Sequence, residues 1–509
     1  MNPTSRYVNQ AVGLCDLRSL SPRVFYTVNR FDPAKRFDAR YRDPYLTFVH
    51  EVTHLLHFLS TPAGLRIHLL FLGSLTYARS IIRDIAKVTN GALEIPACAP
   101  EYLSRISNSH ENFKGWNRQR NSPLELLFWH RQTVASQFGT VDLPIIGSYL
   151  SGTISIGAAR MLKRKVYSDS RIQEFPHVDV HLSNGSRRSL FVGALMVLEN
   201  LAKFIELEHL RQMSDDVEVD RVIEEEICLA SMFPYYSFWP SFLRSAGKHH
   251  GSHLEFITSL DLSLRYDVFT SDSDALGRIM GYSGDPRSAP DWDALVAKDY
   301  NPAHHFLSLL DILKANASTR PFIDRTNPES VTLFSNWLAR EYAAVAGFEP
   351  AKSLNQIQDV SGEHSFVFES PLRKLVESAI KINEALAGVS ISLCDYKFLF
   401  DTIANLPFHV CFNDGVVSYG GCDANEWINF VQELSLLEWL AFGFEEGCPI
   451  RDLAVCCGAD RESMPASALS AWNEDPGGKC NYHHIRSRYM YALGVKSIAP
   501  NGLAIPGVL

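Results

Sequence analysis

Between Asp43 and Leu59 the chain reads DPYLTFVHEVTHLLHFL, and this stretch constrains the rest more than any other. Asp43 suits a helix N-cap and Pro44 the first helical position, while Ser60-Thr61-Pro62-Ala63-Gly64 supplies a stop, so the pattern predicts one bounded helix over 43–59. Within it, His50 and His54 stand four residues apart on one face, where two imidazole nitrogens reach the same ion. Glu51 projects beside that pair, positioned to take a proton from water without itself binding the metal. The flanking Thr47, Phe48, Val49, Val52, Thr53, Leu55 and Leu56 are all uncharged, as a buried metal helix requires. His57 lies seven residues beyond His50, about 10.5 Å along the axis at about 1.5 Å per residue, too far to share a tetrahedral ion. It reads as a packing or supporting residue.

A chain of 509 residues has room for about three domains, and 46% hydrophobic with 21% charged residues is the balance of an ordinary globular protein. The formal charge of −9 argues against nucleic acid and acidic membranes as general partners. MNPTSRYVNQAVGLCDLRSL lacks a basic region followed by an apolar one, and the run Leu65 to Leu75 contains Arg66 and His68. The expectation is therefore no export by that route and no membrane span. Ten cysteines are too dilute for a disulfide-stapled module and predict reduced thiols and a cytoplasmic location. Cys15, Cys98, Cys228 and Cys394 are isolated and read as packing residues.

Residues 1–42 read as an irregular lead-in with short strands such as Arg23 to Val28, and Leu65 to Thr89 as a helix ending at Asn90-Gly91. Residues 105–122 are polar and predict a surface loop, with a helix over Pro123 to Phe138. Pro176 to Leu182 alternates as a half-buried strand, Ser183-Asn184-Gly185-Ser186 is a turn, and Arg187 to Val192 returns, so the reading is a β-hairpin. The hairpin feeds GALMVLENLAKFIE from Gly193 to Glu206. There Glu199 sits among Leu, Met and Val, a placement that costs several kcal/mol unless the carboxylate is paired or binds a metal. Glu199 is accordingly the candidate third ligand, with Glu206 and His209 in reserve. The run Phe233 to Trp239 is aromatic, and Tyr235 or Tyr236 is a candidate to stabilise an oxyanion against the simpler role of core packing. Glu224-Glu225-Glu226 reads as a solvated face and His249-His250-Gly251-Ser252-His253 as a surface loop.

HEVTHLLHF, then a strand pair, then GALMVLENLAKFIE resembles the Glu-ligand zincin metallopeptidases, closest to a bacterial group with an H-E-x-x-H helix and a later G-A-x-x-L-x-E-x-x-A helix. The likeness covers roughly residues 40–210, and the 145-residue gap between His54 and Glu199 exceeds that of thermolysin-like enzymes. The resemblance implies an α+β, predominantly helical fold: a zincin-like core with a small β-hairpin or sheet, plus helical C-terminal regions. Read along its length, with Ser271 to Asn301 rich in Asp, Ser, Gly and Pro as a boundary or long excursion, the chain divides into a zincin-like metallopeptidase domain over 1–245, a helical middle region over 246–388 and a C-terminal helical domain over 389–509. The resemblance also implies Zn²⁺ held by His50, His54 and Glu199, with Glu51 as the catalytic base and a protein or peptide as substrate.

Two other readings stay open: a zinc-stabilised scaffold that has lost catalysis, and an effector peptidase, such as a toxin or phage-defence factor, with one target. The stretch from 246 to 447 leaves room for a regulatory protein partner. Ala424 to Phe444 predicts a helix, and Cys448, Cys456, Cys457, Cys480, His483 and His484 follow it as the material of a second zinc site, with scattered reduced thiols as the alternative.

Overall fold

The computed structural model describes residues 13–16, 21–109, 154–166, 171–266, 301–347, 390–443 and 488–500. In chain order the main elements are strands β1 (Gly13–Asp16) and β2 (Ser21–Val24), helices α1 (Ala39–Ser60) and α2 (Pro62–Val88), strand β3 (Ala92–Ile95) and helix α3 (Pro100–Ser109). Strands β4 (Ile154–Val166), β5 (Arg171–Leu182) and β6 (Arg187–Phe191) precede helices α4 (Ala194–Met213), α5 (Asp216–Glu226), α6 (Trp239–Ala246) and α7 (Ser252–Arg265). Helices α8 (Pro302–Ala315), α9 (Pro328–Ala346) and α10 (Tyr396–Ala404), strands β7 (His409–Phe412) and β8 (Gly415–Ser418), helix α11 (Ala424–Phe442) and strand β9 (Ser497–Pro500) complete them. The fold is α+β and predominantly helical.

Helix α1 starts four residues before the expected Asp43. Asp38 is its N-cap, accepting a hydrogen bond from the backbone N–H of Arg40, and Pro44 sits inside the helix. At the other end Thr61 serves two helices: its hydroxyl donates to His57 O at the close of α1 and accepts from Gly64 N at the start of α2. A Cβ at Gly64 would stand 2.7 Å from Phe58 Cα, so only glycine lets the second helix cross so close to the first.

Every residue of α1 from Pro44 to Ser60 is buried, as is every residue of α7. Helices buried all round belong in the centre of a core, and their polar side chains must find partners there. Asp261 and Arg265 pair within α7 at 2.8 Å, and His57 of α1 comes to 3.8 Å from Asp261. Helix α1 packs between α4, α2 and β2, while α7 packs on α4, α8 and α9, so contacts cross the 245/246 position.

The expected hairpin is present, with β5 and β6 antiparallel and His181 opposite Arg187. It belongs to a three-stranded sheet of order β4-β5-β6. Two further sheets rest on parallel pairings between distant segments, β2 with β7 and β3 with β9. Residues 105–109, expected in a loop, end helix α3, and α11 stops at Phe442 where Gly443 adopts the left-handed conformation. The helix expected over 123–138 and the Cys448–His484 cluster lie outside the described residues. No helix among the described residues is long and apolar enough to cross a membrane.

Candidate metal centre

Helices α1 and α4 pack face to face and bring three candidate ligands together. His50 Nε2 lies 3.1 Å from His54 Nε2, and Glu199 Oε2 lies 3.3 Å from the first and 3.2 Å from the second. Tetrahedral ligands about 2.0–2.1 Å from an ion stand about 3.3–3.4 Å apart, so the three atoms are spaced like three corners of such a tetrahedron. Among the described residues this is the group of His, Cys, Asp and Glu side chains able to hold a metal ion.

The far side of the His50 ring is also held. Its Nδ1 lies 3.1 Å from Glu206 Oε2, one helical turn pair below Glu199 on α4. The other Glu206 oxygen accepts from Lys203 Nζ at 2.9 Å, Lys203 reaches Glu226 at 3.0 Å, and the Tyr236 hydroxyl donates to Glu226 at 2.5 Å. With Nδ1 carrying the proton donated to Glu206, His50 Nε2 presents a lone pair towards a carboxylate oxygen and a second imidazole. Converging acceptors of this kind repel one another unless a cation or proton lies among them.

The charges tell the same story. Burial raises the Glu51 carboxyl, and the neighbouring Glu199 and Glu206 add to this against the opposing charge of His50, so it stands at about 8. Burial works against protonation of His50, yet its bonds to Glu199 and Glu206 lift it to about 10. Burial raises Glu206 too, but Lys203 and His50 hold it down at about 2. The pocket carries more negative than positive charge and takes up cations or protons.

Of the two tyrosines, Tyr235 is the one in the site. Its ring stands edge-on to His50 with centroids 5.3 Å apart, whereas the Tyr236 hydroxyl is committed to Glu226. Asn200, fully buried next to Glu199, places this loop: its amide donates to Met196 O, Pro234 O and Ser237 Oγ, and its carbonyl accepts from Phe238 N. Sequence reasoning passed over Asn200 and Lys203. The available signal was a polar residue on an otherwise apolar helix, the same signal that singled out Glu199.

Two reserve ligands are employed elsewhere. Glu206 holds His50 from behind, and His209 accepts from the Tyr45 hydroxyl at 2.7 Å while donating to Leu393 O at 2.8 Å. His57 donates from Nδ1 to Thr53 O within its own helix. The 249–253 stretch is no surface loop at its end, because Ser252 and His253 open the buried helix α7, and His253 meets Glu208 at 3.3 Å. Glu226 likewise turns inward to Lys203, while Glu225 stays outside with Arg221. Cys98 and Cys394 are buried as expected, but Cys228 is exposed.

Comparison of the chain with protein-family models, with curated proteins and with solved structures finds no match.

Proposed function

We propose that the protein is a zinc-dependent metallopeptidase of the Glu-ligand zincin type, with His50, His54 and Glu199 as ligands and Glu51 as general base. The observation that carries the reading is the triangle of Nε2, Nε2 and Oε2 atoms at 3.1–3.3 Å beside a buried carboxylate that nothing in the ligand set consumes. A divalent ion bound there supplies Lewis acidity, polarising a carbonyl and making water more acidic.

The chain's own residues supply the rest. Glu51 sits in a dry pocket that raises its proton affinity towards neutrality, so it takes a proton from water at the site and hands it to the leaving amine. Glu206 fixes the His50 ring, and Lys203 fixes Glu206. The Tyr235 hydroxyl is the donor for the oxygen that gains negative charge. A substrate strand lies extended along the β4-β5-β6 sheet, whose last strand runs into the helix carrying Glu199.

The test begins with metal content per chain by inductively coupled plasma mass spectrometry on wild type and on His50→Ala and Glu199→Ala. One zinc in wild type and none in either variant is the expected result; a zinc retained in both places the metal elsewhere. Cleavage profiling in a proteome, with Glu51→Gln as the control that keeps metal and loses turnover, then separates the outcomes. Many cuts mark a general peptidase and one target marks an effector. Cleavage undiminished in Glu51→Gln removes Glu51 from the mechanism, and metal without any cleavage supports the zinc-stabilised scaffold.

A further inference from the structure

The support behind His50 does not end at Glu206. Glu199 and Glu206 stand on α4 two helical turns apart, and the His50 ring bridges them, with Nε2 3.3 Å from Glu199 and Nδ1 3.1 Å from Glu206. Lys203 lies between the two glutamates, close to one turn before Glu206 on the same helix face. Its ammonium donates to Glu206 Oε1 at 2.9 Å and meets Glu226 Oε2 at 3.0 Å, and the same Glu226 oxygen accepts from the Tyr236 hydroxyl. Glu206, Lys203, Glu226 and Tyr236 thus form one line leading away from the metal centre.

Stability alone does not account for this line. The Lys203 side chain is 7% exposed, and its neighbours Ala202, Phe204 and Ile205 are apolar, so a Met of similar length would fill the space without an ammonium being taken out of water. A buried ion pair adds little net stability over apolar side chains of the same shape. Glu226 is the last residue of α5, where the helix dipole disfavours a carboxylate, and Glu224 and Glu225 at the same end stay exposed while Glu226 turns inward. Both residues converge on Glu206. Lys203 engages its Oε1, which leaves Oε2 for the N–H of His50 Nδ1. With Nδ1 so committed, Nε2 is the nitrogen that faces His54 and Glu199.

We propose that Lys203 and Glu226 are positioning residues of the metal centre, a buried pair that fixes the orientation of Glu206 and, through it, the ring and tautomer of His50. The inference rests on the metal reading above, extends the centre beyond its ligands and gives α5 a part in metal binding. Lys203 acts on the ion through Glu206. Without Lys203 the Glu206 carboxylate loses the anchor on Oε1 and turns, and the His50 ring loses its fixed acceptor. Where Glu206 has already been replaced, removing Lys203 takes nothing further from the ion. This non-additivity separates positioning from a general loss of packing, which acts with or without the Glu206 carboxylate.

The test is the zinc affinity of the full chain, by competition with a chromogenic chelator, for wild type, Lys203→Met, Lys203→Arg, Glu226→Gln, Glu206→Gln and the double variant Lys203→Met/Glu206→Gln. Lys203→Met is expected to weaken zinc about tenfold, Glu226→Gln by less, and Lys203→Arg to keep most of the affinity, while the double variant binds as Glu206→Gln does. The visible absorption of the Co²⁺-loaded proteins follows the same order, because it reports the geometry of the ligands. Glu226→Gln, at a side chain 26% exposed on the end of α5, decides the matter if Lys203→Met fails to fold. Wild-type zinc affinity in Lys203→Met or in Glu226→Gln overturns the proposal, as does a loss on removing Lys203 that is equally large with and without the Glu206 carboxylate. Zinc that wild type binds and His50→Ala loses, with no response to Lys203, ends this inference alone; wild type without zinc ends it together with the metal reading.

Discussion

Glu206 stands 3.1 Å from Nδ1 of His50, on the side of the ring away from His54 and Glu199. On the proposed reading it supports a ligand and is not one. Replacing it with Ala is expected to weaken zinc about 10–100-fold, the usual cost of losing a carboxylate behind a metal-bound histidine. Competition with a chromogenic chelator measures this. Complete loss of metal, as in Glu199→Ala, would instead make Glu206 a ligand, and unchanged affinity would deny it any part in the site.

Tyr235→Phe removes one oxygen from the site and leaves the ring against His50. On the proposed mechanism kcat falls about 10²–10³-fold with KM little changed, while Tyr236→Phe, whose hydroxyl serves Glu226, has a much smaller effect. Equal effects of the two substitutions on kcat would reject the assignment.

How much of this arrangement could be read beforehand depended on whether the signal was local. The helix with His50 and His54 and the β5-β6 hairpin announced themselves through periodicity and turn residues, and the place of Glu199 beside them through its apolar neighbours. The true start of α1 was hidden because Asp43-Pro44 imitates a helix N-terminus, while Asp38 does the capping. Strand β4 was missed because a bulge at Gly157 breaks the alternation that marks a strand. The pairings of β2 with β7 and β3 with β9 join four-residue strands across most of the chain, and nothing within such a short segment names its partner. Asn200 and Lys203 acquire meaning only from a loop and a helix that follow them.

Arg325 makes a two-pronged contact with Glu208, Nη1 to Oε2 at 2.6 Å and Nη2 to Oε1 at 2.8 Å. Burial raises the Glu208 carboxyl, but Arg325 and His253 hold it down at about 2. Arg325→Met leaves this buried charge to His253 and Arg211 and is expected to cost about 3 kcal/mol in denaturant unfolding, most of it recovered when Glu208→Gln is added. A change below about 0.5 kcal/mol would show the pair to be dispensable.

Stability should also fall on mild acidification. Burial lowers His209 to about 4, as it does His57 and His409, against an ordinary value of about 6.5. Such histidines are neutral in the folded protein and bind protons more readily when unfolded. Their contribution is fully present above about pH 6.5 and is lost as the pH falls towards 4. Urea midpoints measured across this range are expected to drop, less steeply in His209→Gln. A flat profile down to pH 4 would contradict the burial of these rings.

The backbone N–H of Val28 donates to the Asp414 side chain, 386 residues further on, beside the parallel pairing of β2 with β7. On a ribosome adding about 5–20 residues per second, the helix with both histidines waits roughly 20–80 s for that partner. During this interval the open edge of β2 and the apolar faces of α1 are available to chaperones, proteases and neighbouring nascent chains. Completion of the sheet under α1 is thus a late event in the life of each molecule, and a polypeptide released before Asp414 carries the HEVTH string without β7 beside β2.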